Sequence, residues 1–96
     1  MTKAEIVKAW NYELSAWIGR LQSFPVKVVE QNNMSGGYEK HQCTIFKLED
    51  GRYAVVSEDG CSCYTPENAK IDLLPSLKAA REVFKSWVKE RESYAR

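Results

Sequence analysis

The residues best suited to chemistry are one histidine and three cysteines, arranged as His41-x-Cys43 and Cys61-x-Cys63. Three thiolates and one imidazole form an acceptable tetrahedral zinc site. Structural zinc sites usually separate paired ligands by two to four residues, whereas this one-residue spacing on a strand holds two parallel side chains roughly 6.5–7 Å apart. The spacing favours small buried side chains. The alternative is a small zinc-binding structural protein with the ligands His41, Cys43, Cys61 and Cys63.

The expected strand pairing tests this zinc site further. Asp50-Gly51 and Asp59-Gly60 each predict a two-residue hairpin loop. In that register Cys43 pairs with Glu58, and a strand separates Cys43 from Cys61, which places the two cysteines about 9.6 Å apart. Thiolates that share one zinc ion must lie about 3.8 Å from each other. We therefore expect neither a metal nor a cofactor.

Two acidic pairs, Glu49-Asp50 and Glu58-Asp59, have the residue types of general acid–base catalysis. Each pair precedes a glycine at a predicted hairpin tip, where acids initiate turns and stay solvated.

A thiol nucleophile needs a base within hydrogen-bond reach, but on a strand His41 stands parallel to Cys43. The sequence contains no P-loop, nucleophile elbow, zinc-protease or zinc-deaminase motif. We expect a protein that is not an enzyme.

Length and composition are those of one ordinary folded domain. The 96 residues, 44% hydrophobic and 28% charged, suffice for one core, so we predict a single domain over residues 1–96. A net charge of +1 gives no long-range attraction to polyanions. No run of 18 apolar residues exists, and the N-terminal stretch mixes charge into its apolar positions, so we expect neither a signal peptide nor a membrane span. We expect a cytoplasmic protein, with free thiols and no membrane partner.

Helical periodicity near both ends predicts two helices. Thr2 and Glu5 fit a capping box, and the apolar spacing that follows continues to a helix end near Ser23. Ser76 is a suitable N-cap for the second helix. Its apolar face consists of Leu77, Ala80, Val83, Phe84, Trp87 and Val88.

The middle of the chain has the pattern of strands. Residues 26–31 are rich in β-branched side chains, and the following NNMSGG favours a loop. Residues 43–48 and 52–57 flank Glu49-Asp50-Gly51 and predict a hairpin in which Ile45 faces Val56. After a second turn at Asp59-Gly60 we expect a short edge strand, then an irregular segment. The predicted fold is α+β, with an N-terminal helix, a three- to four-stranded antiparallel meander and a C-terminal helix.

The order helix, three strands, helix is similar to that of the double-stranded-RNA-binding domain. That family contacts RNA through its first helix, the loop between its first two strands and a lysine cluster that opens its second helix. Here the loop NNMSGGYEKH contains Lys40 and His41, while the second helix opens with LKAAR in place of a dense lysine run. The resemblance implies a nucleic-acid-binding module as an alternative function.

A second resemblance covers residues 50–69, DGRYAVVSEDGCSCYTPENA. This stretch resembles a segment of small phage and prophage proteins in which a strand ending in EDGCSCY-P precedes a C-terminal helix. The resemblance implies a non-enzymatic accessory protein of a mobile element, located in the cytoplasm of a bacterial host. Its partner would be a host protein or nucleoprotein complex, and inhibition of a defence system such as CRISPR–Cas, as anti-CRISPR proteins achieve, is one expected outcome.

Exposed tyrosines and a basic helix stripe are the candidate partner-binding residues. Tyr12 lies opposite the apolar face of the first helix and Tyr38 lies in the glycine loop, and exposed tyrosine is favoured at interfaces. The second helix has a basic stripe that also includes Glu82 and Glu92. This stripe could bind an acidic protein surface or a phosphate backbone. The other interpretation is an ordinary solvated helix face. The stripe consists of Lys78, Arg81, Lys85 and Lys89.

The oligomeric state depends on two tryptophans of the first helix. Trp10 and Trp17 lie seven residues apart on the predicted apolar face. They could cover the sheet within one chain or form a seam between two helices. We expect a monomer or a homodimer.

Overall fold

The structure is a computed structural model that describes residues 20–34, 39–61 and 69–94. The elements are β1 (Pro25–Asn33), β2 (Glu39–Leu48), β3 (Tyr53–Cys61), β4 (Lys70–Leu74) and α1 (Leu77–Tyr94). The four strands form one sheet in the order β1-β2-β3-β4, and each strand is antiparallel to its neighbour. The α+β class, the four-stranded meander and the C-terminal helix are thereby confirmed.

The predicted N-terminal helix lies outside the described residues except at its end. Arg20 and Leu21 are helical, and Gln22 has a φ of 64°. A residue in this left-handed region commonly terminates a helix. The predicted end near Ser23 agrees with this change of backbone, and the helix over the preceding residues stays a prediction.

The β2–β3 hairpin has a loop of three residues instead of the two we predicted. The N–H of Gly51 donates to the carbonyl of Leu48 at 3.1 Å, and the N–H of Leu48 donates to the carbonyl of Arg52 at 2.8 Å. Gly51 has a φ of 92°, as expected for the glycine that closes a three-residue loop. The extra residue shifts the register by one. Ile45 therefore faces Val55, and the predicted pairing of Ile45 with Val56 is wrong.

The second predicted turn, at Asp59-Gly60, is also wrong. β3 continues through both residues to Cys61, with Asp59 opposite His41 and Gly60 opposite Lys40. The next strand is β4, whose pairing with β3 extends from Ser57 opposite Lys70 to Tyr53 opposite Leu74. β4 falls in the segment that the sequence indicated to be irregular.

Alternation along the strands gives the sheet two apolar faces. On one face Cys43, Ile45 and Val55 pack against the buried side of α1. On the other face Phe46 and its neighbours pack with Leu21, from the segment before β1. A one-residue register shift exchanges the faces of a strand, so the observed register decides which β3 side chains α1 covers.

Helix α1 begins where the sequence predicted. The hydroxyl of Ser76 accepts the N–H of Ala79 at 3.2 Å, and its carbonyl accepts the N–H of Ala80 at 3.1 Å. The predicted apolar face is confirmed: Ala80, Phe84 and Trp87 are buried, and Leu77, Val83 and Val88 pack beside them. Over the described residues, no helix combines the length and apolar character needed to cross a membrane.

Candidate functional site

Helix α1 has two flanks of opposite charge on either side of its buried stripe. An α-helix rotates by about 100° per residue, so Arg81 and Lys85 lie on one side of the stripe and Glu82, Ser86 and Glu90 lie on the other. The first side borders a groove against β1, and the second borders a pocket against β3 and β4. We call them the basic flank (Lys78, Arg81, Lys85 and Lys89) and the acidic flank (Glu82, Ser86 and Glu90).

The basic flank presents the four cations that the sequence singled out, and all four are exposed. Arg81 Nε lies 3.8 Å from Glu30 Oε1 on β1, and both side chains are about half exposed, so this ion pair is weak. Within the described part of the chain, the other three form no ion pair. These are Lys78, Lys85 and Lys89.

Two further cations lie on the same side of the sheet as α1. Lys27 on β1 is directly opposite Lys47 on β2, and both are exposed. Lys47 pairs with Tyr53, which in turn faces Leu74 just before α1, so the pair lies at the end of the sheet where α1 begins. Like charges in directly opposed positions destabilise a sheet. Sequence reasoning missed this pair because it depends on the strand register.

Acidic residues are distributed unequally between the flanks. Glu92 lines the groove on the basic flank together with Lys85 and Lys89. Glu82, which the sequence placed within the basic stripe, instead lines the pocket on the acidic flank. The basic flank therefore contains fewer acids than the sequence indicated.

A group of four side chains, the Asp59 cluster, joins the far end of α1 to the sheet. Arg91 donates to both carboxylate oxygens of Asp59, from Nε to Oδ1 at 2.6 Å and from Nη2 to Oδ2. Trp87 Nε1 donates to Oδ2 at 3.3 Å, and His41 Nδ1 lies 2.9 Å from Oδ1. The guanidinium carbon of Arg91 is 5.2 Å from the centre of the Trp87 ring. Two strands and the helix thus meet at one carboxylate.

The charges in the Asp59 cluster stabilise one another. The pKa of Asp59 is lowered to about 2, chiefly by the paired hydrogen bonds from Arg91, whose effect exceeds the opposing effect of burial. Hydrogen bonds from His41 and Trp87 lower this pKa further. Asp59 in turn raises the pKa of Arg91. Asp59 therefore remains a carboxylate at physiological pH, and its role is to position Arg91 and Trp87.

Cys43 is an unreactive thiol in this structure. It is fully buried, and desolvation, followed by the charges of Asp59 and Asp72, raises its pKa to about 12. The thiolate is the form that attacks electrophiles and binds metals, and almost none is present near pH 7.

Two members of the alternative zinc set, Cys43 and Cys61, occupy distant backbone positions in the sheet. Cys43 is opposite Ser57, whereas Cys61 is opposite Glu39, so Cys43 and Cys61 are separated by roughly 13 Å along the strands. The predicted separation across a middle strand was wrong because β3 does not turn at Gly60. Cys63 lies outside the described residues, among which no group of three or more potential metal ligands occurs.

The remaining predicted partner-binding residues, Tyr12 and Tyr38, lie outside the described part of the chain. No protein-family model, curated protein or solved structure matches the sequence. The basis for a functional proposal is therefore the geometry of the two flanks of α1.

Proposed function

We propose that the protein is a non-enzymatic binding module whose basic flank docks on an acidic surface of a partner protein. The observation that supports this proposal is the collection of exposed cations on one side of a molecule with a net charge of only +1. Of the four on α1, only Arg81 forms an ion pair with a carboxylate among the described residues. The collection consists of Lys27, Lys47, Lys78, Arg81, Lys85 and Lys89.

The basic flank is rigidly supported. Phe84 and Trp87 anchor the opposite side of α1 in the core, and the Asp59 cluster holds its last turns to β3. A partner therefore meets charges already in place and does not have to order the helix that carries them. Charge complementarity of this kind increases association rates and selects partners of opposite sign.

Two acids within the basic flank favour a protein partner over nucleic acid. Glu30 lies beside Arg81, and Glu92 lies beside Lys85 and Lys89 in the groove. A phosphate backbone carries no positive charge and would be repelled by both carboxylates. A protein surface can instead place a basic side chain opposite each one.

The origin of the partner is proposed from the resemblance of residues 50–69 to phage and prophage segments. We propose that the protein is encoded by a mobile element and binds a host protein or complex, including a defence complex such as CRISPR–Cas. It would act as a monomer or homodimer by occupying a surface that the host complex needs.

The test begins with isolation of partners from a bacterial host with the tagged protein, followed by binding measurements on the purified pair. Lys85→Glu combined with Lys89→Glu should weaken binding at least tenfold, since two reversed charges replace attraction by repulsion. Lys70→Glu is the control because Lys70 lies on β4, away from the flank, with 75% of its side chain exposed. An equal loss for the control, or no loss for the double variant, would refute docking through the basic flank.

Nucleic acid is tested in parallel with double-stranded RNA in a salt titration. Phosphate binding should weaken steeply as salt increases, with a slope that reflects the number of phosphates contacted. Tight, salt-sensitive RNA binding that the double variant abolishes would replace the protein partner with nucleic acid. No binding at low salt would exclude the RNA alternative.

A further inference from the structure

We propose that the pocket on the acidic flank of α1 binds an organic cation, an alkylammonium or guanidinium group with a short apolar stem. The proposal concerns the other flank of the helix and does not depend on docking through the basic flank. We call this site the acidic pocket.

The acidic pocket has the dimensions of a ligand site. Its volume is about 460 Å³, between α1 on one side and β3 and β4 on the other. Pockets of 300–1,000 Å³, largely apolar with a few polar groups, are typical of small-molecule sites. Here Val55 and Val83 provide apolar contacts, and Ser57 and Trp87 provide the polar and aromatic ones.

The charges that line the pocket favour a cation. Four carboxylates and two basic groups line it, which gives a formal charge of 2 − 4 = −2. Arg91 is engaged by Asp59 and by Glu90, whose Oε1 lies 3.0 Å from Arg91 Nη1. The four carboxylates are Asp59, Asp72, Glu82 and Glu90, and the basic groups are Lys70 and Arg91.

Arg91 pairs with Asp59 and Glu90, whereas the charges of Asp72 and Glu82 are compensated weakly or not at all by the described groups. Lys70 lies 3.9 Å from Asp72 and is 75% exposed, so it compensates that carboxylate only weakly. Glu82 forms no ion pair with any described residue. A phosphate or carboxylate ligand would be repelled, whereas an ammonium or guanidinium group would be attracted to the side of the pocket formed by Glu82 and Glu90.

The hydroxyl of Ser57, which opens into the pocket, independently indicates a polar ligand. Ser57 is only 7% exposed and lines the pocket, and strand alternation places it on the α1 side together with Val55 and Asp59. Its side chain forms no hydrogen bond within the described ranges of the chain. Its Oγ is open to the pocket, so a ligand N–H could donate to it.

Trp87 shows that this environment accepts a cation. The guanidinium of Arg91 already lies over its ring, 5.2 Å from the centre, in the arrangement of a cation–π contact. A ligand stem that packs on Val55 and Val83 would bring its charged end towards Glu82 and Glu90. The same chemistry can come from a free amine or from a lysine or arginine side chain of a peptide.

The experiment follows the indole N–H of Trp87 by NMR during titration with pentylamine, agmatine and 1-pentanol. Both amines should shift this signal with saturation, while the neutral alcohol of equal length should bind at least fivefold more weakly. A blocked arginine tripeptide distinguishes the sources: saturation by the free amines indicates a small-molecule site, and saturation by the tripeptide alone indicates capture of a peptide side chain. No saturable shift with any cationic probe would overturn the proposal.

Variants on the two flanks sharpen the result. Glu82→Gln should weaken amine binding about threefold, and Ser57→Ala about fivefold, as expected for one partly exposed charge and one hydrogen bond. Glu92→Gln is the matched control, since it removes the same charge from the same helix on the opposite flank. Equal effects of Glu82→Gln and Glu92→Gln, or equal affinity for amine and alcohol, would show that the pocket does not recognise a cation.

Discussion

The tripeptide Glu-Asp-Gly occurs twice in this chain, at residues 49–51 and 58–60, and it forms two different structures. In the first copy it forms the tip of the β2–β3 hairpin, where Asp50 accepts hydrogen bonds from the backbone and side chain of Arg52 at 3.0 and 2.7 Å. In the second copy it lies within β3, where Glu58 is 1% exposed and Asp59 binds Arg91. Identical local sequence thus gives a turn and a strand.

The difference arises from the partners that each copy meets. Asp50 contacts a neighbour two residues away along the chain, and both side chains remain accessible. Asp59 contacts Trp87 and Arg91, 28 and 32 residues away, and Gln42 Nε2 donates to Glu58 at 3.2 Å within the sheet. The first copy also forms long-range hydrogen bonds, from the backbone N–H groups of Glu49 and Asp50 to Phe24 and Ser23. In the second copy, long-range hydrogen bonds of the side chains, together with burial, override the turn preference of Asp-Gly.

The largest expected difference is in the free energy of unfolding when the charge of Asp59 or of Asp50 is removed. Asp59→Asn should lower the free energy of unfolding by about 2–3 kcal/mol, because the guanidinium of Arg91, which is 18% exposed, loses the less exposed of its two carboxylate partners and both hydrogen bonds to it become weaker. Asp50→Asn removes only a solvated contact in the loop, so the free energy of unfolding should fall by a small fraction of the Asp59→Asn loss. Urea denaturation of both variants measures the difference.

A double-mutant cycle with Arg91→Gln tests the cause. If the Asp59–Arg91 pair accounts for the loss, the two substitutions together should cost clearly less than the sum of their separate effects. Additive losses, or equal losses for Asp50→Asn and Asp59→Asn, would contradict the distinction between the two copies.

An intermediate effect is expected on acidification. The folded-state pKa of Asp59 is about 2, against 3.8 for an unperturbed aspartate, so its contribution is complete above about pH 5 and is lost as the pH falls through 2. A third of the side chain is exposed, and after solvent screening this contribution is about 1 kcal/mol. The stability difference between wild type and Asp59→Asn should narrow by that amount between pH 5 and pH 2. A constant difference would show that the pKa of Asp59 is not lowered by folding.

The smallest expected difference in stability is between alanine substitutions at Gly51 and at Gly60. Gly51→Ala should destabilise the protein by about 1 kcal/mol, because a φ of 92° is unfavourable for a residue with a Cβ. No atom lies within 4 Å of a Cβ at Gly51, so the cost comes from the backbone alone. Gly60→Ala, within β3, should change stability by less than about 0.5 kcal/mol. Similar costs at the two positions in thermal unfolding would indicate that residue 60 also lies in a turn.

The parts of the fold that sequence predicted correctly are those with repeated local signals. Helix α1 has a continuous apolar periodicity and a serine cap, and the β2–β3 hairpin has a turn between two β-branched runs. The register was missed by one residue because two- and three-residue loops share the Asp-Gly signal. A two-residue type I′ loop needs a positive φ at Asp50 as well as at Gly51, and among the described residues only Gln22 and Gly51 have one. β4 was missed because five residues with Asp72 at the centre are too short and too polar to form a clear strand pattern.

The candidate site was only partly accessible from sequence. Periodicity alone identified the basic flank of α1, since exposure on a helix follows from position. Lys27 and Lys47, by contrast, become neighbours only through strand pairing. Ser57 and Glu82 share a pocket only because β3 has its observed register beneath α1. Sites formed across elements require the tertiary structure.

The edge strand β1 constrains how any second chain can associate with the sheet. Its register shifts twice, between Pro25 and Lys27 and between Val28 and Glu30, and such bulges interrupt the regular row of backbone donors and acceptors. An incoming strand would find a regular template only over residues 30–33 of β1, and β4 at the opposite edge of the described sheet offers only five residues. Both edges thus disfavour β-augmentation and edge-to-edge aggregation, so association should proceed through side chains on the faces of the molecule.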